Sequence, residues 1–155
     1  MKRILVFAAG VAALAGAARG GDHFFTVQLS GLQEVNGGDP DGFGTAMLRI
    51  NDDDPSNPFI DWEIEAFDIL MPLTGAHIHE GDAGTNGPVR IDFNSQLSGA
   101  GLVDIDLNGV LANPTGWYVN LHNADFPGGA IRGQIPVPAT GVVLGAAALA
   151  ARRRR

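Results

Sequence analysis

The sequence predicts an all-β fold, an eight-stranded antiparallel sandwich or flattened barrel with Greek-key connections, of the immunoglobulin-like or dismutase-like kind. Three observations carry this. Between Phe24 and Ile135 the chain is a series of short apolar-polar alternations, the period of a half-buried strand. Clusters of Gly, Pro, Asn and Asp separate them, drawing on 22 glycines and 9 prolines in the chain. No amphipathic helix of ordinary length interrupts the series.

The strands follow in order. Phe24 to Leu29 would bury Phe25, Val27 and Leu29, and Gly44 to Ile50 would bury Ala46, Leu48 and Ile50. Phe59 to Ala66 offers Ile60, Trp62 and Ile64 to the core, and Val89 to Phe93 offers Val89, Ile91 and Phe93. Between them, Thr74 to His79 points His77 and His79 to one face and Ala76 and Ile78 to the other. Leu102 to Leu107 is the sixth strand, with Asn108-Gly109 as its hairpin turn. In Trp117 to His122 the apolar set Trp117, Val119 and Leu121 is core, so Tyr118, Asn120 and His122 leave on the polar face. Ala130 to Ile135 closes the series.

The two ends lie outside this domain, which spans residues 22–135. Lys2 and Arg3 precede an apolar run from Ile4 to Ala18, the pattern of a secretory signal peptide over residues 1–20, with cleavage after Ala17 or Gly20. Residues 136–155 hold a proline motif (Pro136-Val-Pro-Ala-Thr140), eleven small or apolar residues and Arg152 to Arg155. This end resembles a PEP-CTERM sorting tail, with Val137 where the family's Glu usually stands. The resemblance implies an exported bacterial protein, exopolysaccharide-associated or held at the cell surface. Its tail would engage membrane and sorting machinery transiently before removal.

Without its ends the domain keeps three arginines against 17 acidic residues, a net charge of −14. Such a surface disfavours nucleic acid and anionic lipid as partners and favours cations. There is no cysteine, hence no disulfide and no thiol nucleophile. No Gly-x-Ser-x-Gly or phosphate-cradling loop is present either. Asp104 to Gly109 matches the first half of a calcium loop, but Thr115 stands where the bidentate Glu belongs. The acidic runs at Asn51 to Pro55 and Asp39 to Gly42 read as solvated turns or open oxygen sites.

"AHIHEGDAGTNGPV" and "YVNLHNADFPGGAIRGQI" together closely resemble the chordin-type (CHRD) domain of bacterial secreted proteins and animal chordin. That likeness covers Phe24 to Ile135 and implies a non-enzymatic binding module with a matrix or surface component as its extracellular ligand. The same segments are similar in order to copper/zinc superoxide dismutase, which implies the alternative, a copper-dependent redox enzyme. Carried over, His77 and His79 match that family's copper-binding pair and His122 its later copper ligand. No histidine lies between His79 and His122, so the bridging ligand is absent, and Arg132 is not at the offset of the substrate-guiding arginine.

Three neutral imidazoles suit copper or zinc, with Glu80, Asp82 and Asp125 as acceptors that would orient the rings. The competing reading has these histidines hydrogen-bonding loop backbone and holding the glycine-rich crossing in place. A second chelate depends on cleavage after Gly20, which would expose Gly21-Asp22-His23 and recruit His23.

Overall fold

Alternation becomes eight strands in one antiparallel sheet, in a computed structural model that describes residues 20–138. The expected signal segment up to residue 19 and the apolar, arginine-ended part of the tail lie outside the described residues. The strands are β1 (Asp22–Ser30), β2 (Phe43–Asn51), β3 (Phe59–Phe67), β4 (Gly75–Glu80), β5 (Val89–Asp92), β6 (Ser98–Val103), β7 (Trp117–His122) and β8 (Ile131–Gln134). A helix α1 (Leu107–Ala112) falls between β6 and β7. The spatial order is β5-β4-β7-β8-β1-β2-β3-β6, in which β4 beside β7 and β3 beside β6 are the crossing neighbours of a Greek key.

The sheet curls into a half-barrel around one core. Phe25, Val27 and Leu29 of β1, Ala46, Leu48 and Ile50 of β2, Ile60 and Ile64 of β3, and Val119 and Leu121 of β7 all belong to it. Each such side chain contributes about 1.5–3 kcal/mol on leaving water.

The two edge strands β5 and β6 do not pair with each other, and the segment from Phe93 to Leu97 spans the gap. Phe93 N–H donates to Ala76 O (2.9 Å) on one side, and Leu97 O accepts from Ile64 N–H (2.7 Å) on the other. Phe93 stacks on Trp62 with ring centroids 4.4 Å apart and an interplanar angle of 11°. The indole Nε1–H of Trp62 donates to Gln96 O (3.0 Å). Gly99 is required beside it, because a Cβ there would collide with the indole ring.

Three expectations need correction. Val89 is 47 % exposed, because a register shift between Ile78 and His79 pairs it with outward-facing His79 and turns it out of the core phase. The sixth strand ends at Val103, not Leu107. Asp104 Oδ1 accepts from Asp106 N–H (2.9 Å), turning the chain so that Leu107 and Val110 enter the core from α1. Asn108-Gly109 is therefore helical, and Gly109 leaves room for the Trp117 ring, which would lie 2.6 Å from a Cβ. Finally, Trp117 is buried as expected, whereas Trp62 is half-buried at the sheet's seam.

Phe93→Ala removes both the seam stack and a fully buried ring, so it is expected to destabilise the domain by about 3–5 kcal/mol. Urea unfolding monitored by tryptophan fluorescence measures the loss. A change within about 0.5 kcal/mol would mean that the seam is not what closes the sheet.

Candidate metal centre

The outward face of β4, β7 and β8 carries a polar layer set by strand register. Gly75 lies opposite His122, His77 opposite Asn120 and His79 opposite Tyr118; on the far side of β7, Asn120 faces Arg132 and Tyr118 faces Gln134. With a side-chain period of two, all of these residues leave the sheet on the side away from the core. Alternation places Tyr118, Asn120 and His122 on the polar face of β7, but that face is not open to water. Tyr118 is 1 % exposed, Asn120 2 % and Arg132 1 %. Two glycine-containing loops, residues 81–88 and 123–130, fold over the layer.

Arg132 organises the first loop. Its Nη1 donates to Thr85 O (2.8 Å) and its Nη2 to Asp82 O (3.1 Å), with longer contacts to Asn86 Oδ1 and Gln134 Oε1 (both 3.4 Å). The guanidinium carbon lies 3.4 Å from the Tyr118 ring centroid, and Tyr118 stacks in turn on His79 at 4.8 Å and 10°. The tyrosine, on the strand between the other two, is held between a cation and an imidazole. Gln134 Nε2 ties down Gly81 O (2.8 Å) and Thr115 O (2.7 Å). Gly87 meets the same stack from above: its N–H donates to Tyr118 Oη (3.0 Å) and its carbonyl accepts from His79 Nδ1 (3.0 Å). Only glycine fits there, since a Cβ would collide with the Glu80 carbonyl.

These contacts assign the histidine tautomers. A carbonyl can only accept, so His79 carries its proton on Nδ1 and presents a bare lone pair at Nε2. His122 Nδ1 likewise donates to Pro127 O (3.1 Å), leaving Nε2 bare. His77 Nε2 faces Asp92 Oδ1 at 3.5 Å, leaving Nδ1 bare. Those three nitrogens, His77 Nδ1, His79 Nε2 and His122 Nε2, are all sealed from solvent without a hydrogen-bond partner. One ligand atom from each ring lies within 4.8 Å of the others. Ligands on a tetrahedral ion with Zn–N near 2.05 Å would be about 3.3 Å apart, a small contraction from that upper bound. Gly75 makes room for two of the rings, with His77 Cε1 at 2.6 Å and His122 Cδ2 at 3.2 Å from where a Cβ would stand.

The electrostatics favour neutral rings. Burial holds all three imidazoles below their ordinary range, His79 at about 4, with Asp92 opposing the shift at His77 and the Pro127 carbonyl opposing it at His122. Protons therefore do not compete for the lone pairs at neutral pH, and the site is a set of three nitrogen donors.

The expected orienting carboxylates are not the ones that reach the rings. Glu80 is exposed and pairs with Arg90 (2.6 Å); Asp82 contributes its backbone carbonyl to Arg132; and Asp125, exposed, donates its backbone N–H to Asn123 Oδ1 (3.1 Å). The Gly87 and Pro127 carbonyls and Asp92 take that role. Asp92 was legible in principle, as the residue opposite His77 once β5 pairs with β4. His23 stands apart in β1, where its Nε2 and the Gly21 N–H share Asp52 Oδ1 (3.0 and 2.8 Å). Among the described residues no carboxylate group joins a ligand cluster, and the Asp104–Gly109 segment folds as turn and helix rather than as a calcium loop.

Arg132→Met keeps the length of the stem but leaves the Thr85 and Asp82 carbonyls without their donor. It is expected to cost about 2–5 kcal/mol and to speed amide hydrogen exchange across residues 81–88 before the rest of the domain. Uniform protection across the chain would show that the loop does not hang on this side chain.

Stability should also depend on pH with a defined sign. His79, neutral in the fold down to about pH 4, takes up a proton in the unfolded chain near 6.5, so its contribution is full above 6.5 and is lost as pH falls toward 4. Glu34, raised by burial to about 7, acts oppositely, contributing fully below 4.5 and less as pH rises through 7. In a metal-free Glu34→Gln background the urea midpoint is expected to fall from pH 7 to pH 5, and adding His79→Gln should flatten that slope. An unchanged slope would contradict the assignment of a buried neutral ring.

Searches of curated proteins and of solved structures give no match. The CHRD domain family matches residues 25–135, a span that holds every strand from β2 to β8 and both loops over the histidines. The chain belongs to the CHRD domain family.

Proposed function

We propose that this chain is an exported, non-enzymatic CHRD binding module that holds one copper or zinc ion through His77, His79 and His122. The observation that carries the metal reading is the set of three buried, converging imidazole nitrogens with no hydrogen-bond partner, each on a ring whose other nitrogen faces a backbone carbonyl or a carboxylate. Histidines that served only to pin loops would need one nitrogen each, and would not aim the other at a common point. Bound there, the ion would supply a Lewis-acidic centre held by three nitrogen ligands. A domain of net −14 with such a centre suits capture of cations, or bridging of an acidic surface or matrix component through the metal. Nucleic acid is disfavoured by the same charge.

The copper-dependent redox reading draws on the same three nitrogens. Two features oppose it. The acidic surface would repel a superoxide anion, and Arg132 is buried and committed to loop carbonyls, so it cannot guide one. Export rests on the basic-apolar start and the proline-apolar-arginine end.

Native mass spectrometry of untagged protein recovered from the source envelope or medium reads both halves of the proposal. The expected species lacks Met1 and Arg155 and carries one metal ion per chain. His122→Ala should lose the ion, and with it the gain of about 2.7 kcal/mol expected when ion is present at a hundredfold excess over Kd. A metal-free native chain that also fails to take up copper or zinc would refute the site; superoxide disproportionation well above that of free copper, abolished in the variant, would instead move the protein to the redox class.

A further inference from the structure

The loops that cover the histidines also wall a separate cavity of about 240 Å3, bounded on its far side by the chain just after β1. Glu34, Asn36, Asn86 and Asp125 line it, with Phe126 and Pro127 as its apolar part, and no basic side chain faces it. Glu34 is the unusual member. Its Oε1 is sealed from solvent with no hydrogen-bond partner, and its carboxyl lies against Gly129, where φ is +136° and a Cβ would collide with both oxygens. Gly38 gives way to its stem in the same manner, with a Cβ there 2.5 Å from Glu34 Cγ. Two glycines thus make room for a half-buried acid with one sealed, unpaired oxygen, which the charge of Arg132 only partly offsets, the kind of cost that a binding role explains. Asn86 turns its Oδ1 toward Arg132, which leaves its amide N–H2 free to donate.

We infer that this cavity binds one neutral or amine-bearing saccharide residue, whose hydroxyl or ammonium hydrogens are accepted by Glu34 and Asp125. The space is too large for a bare ion and falls below the roughly 300 Å3 at which pockets for drug-sized molecules begin. Carboxylates and amides are the acceptors and donors that a ring of hydroxyls needs, and Phe126 with Pro127 offers an apolar surface to a sugar face. Phosphates, uronic acids and other anions find no cationic partner in the lining and meet the carboxylates of Glu34 and Asp125. An amine gains most, since it brings a positive charge to a half-buried carboxyl that desolvation has pushed up to about 7. The site is independent of the metal reading.

The test is a two-dimensional NMR titration of the purified protein with methyl glucoside, glucosamine, glucuronate and lysine amide. Saturable shifts at Asn36, Asn86 and Gly128 are expected for the first two, at about millimolar Kd for so small a ligand. Glucuronate should bind at least about tenfold more weakly because like charges face each other, and lysine amide should not saturate. Gly128→Phe adds a bulky ring to the cavity's lining, at a position where a Cβ meets nothing within 4 Å, and should abolish binding with the circular dichroism unchanged. Glu34→Gln should remove the advantage of glucosamine over the glucoside. The inference is overturned by the absence of saturation with either sugar, by glucuronate or lysine amide binding as well as glucosamine, by binding that survives Gly128→Phe, or by a glucosamine preference that survives Glu34→Gln.

Discussion

A single buried cation, the Arg132 guanidinium, is the constraint on which the outer half of this molecule depends. A charge withdrawn from water costs several kcal/mol unless its donors are satisfied, and no carboxylate is hydrogen-bonded to it here. Its partners are the carbonyls of Asp82 and Thr85, groups that a loop can offer only when folded back over the sheet. The Tyr118 ring supplies the remaining stabilisation from below. Desolvating the arginine and closing the loop are therefore one event, and His79 is oriented by it because Gly87 is brought to both the tyrosine and the histidine.

The sheet divides the work by face. Its inner face is apolar and supplies stability through burial, and its seam is stitched by Phe93 to Leu97 because β5 and β6 are too far round the curl to pair. The outer face is polar and would be wet in an ordinary sandwich. Covering it with loops 81–88 and 123–130 creates a second interior, lower in dielectric than the surface but built of imidazole, amide, phenol and guanidinium groups. That interior keeps the histidines neutral, and it leaves Glu34 protonated to a pH where surface carboxylates are fully charged.

Unsatisfied atoms concentrate in this outer layer. Among the described residues, apart from Asn123 Nδ2 and Asn120 Oδ1, the buried side-chain atoms without partners belong to the three histidines and Glu34. A cost of this kind persists when the surrounding fold over-determines it, and the glycines at 75 and 129 make room for the side chains that bear it. The inner core, which has no such vacancies, holds the layer in place.

Much of the strand pattern was legible because period-two alternation maps directly onto an inside and an outside: Phe25, Val27, Leu29, Ala46, Leu48 and Ile50 are all buried where the alternation places them. The His77/His79 pair was legible for the same reason, as two residues on one phase of one strand. His122 could be singled out, but its meeting with the pair depends on β4 lying beside β7, a pairing between strands that begin 42 residues apart, at Gly75 and Trp117, which no local pattern encodes. The acidic residues nearest in sequence, Glu80 and Asp82, were the natural candidates to orient the rings, yet backbone carbonyls do so, and every residue has a carbonyl. Which one arrives at a ring is decided by the loop's path, and that path follows Arg132. Local sequence determined which way each side chain leaves its strand; the long-range pairing and the desolvation of one charge decided which of them share an interior.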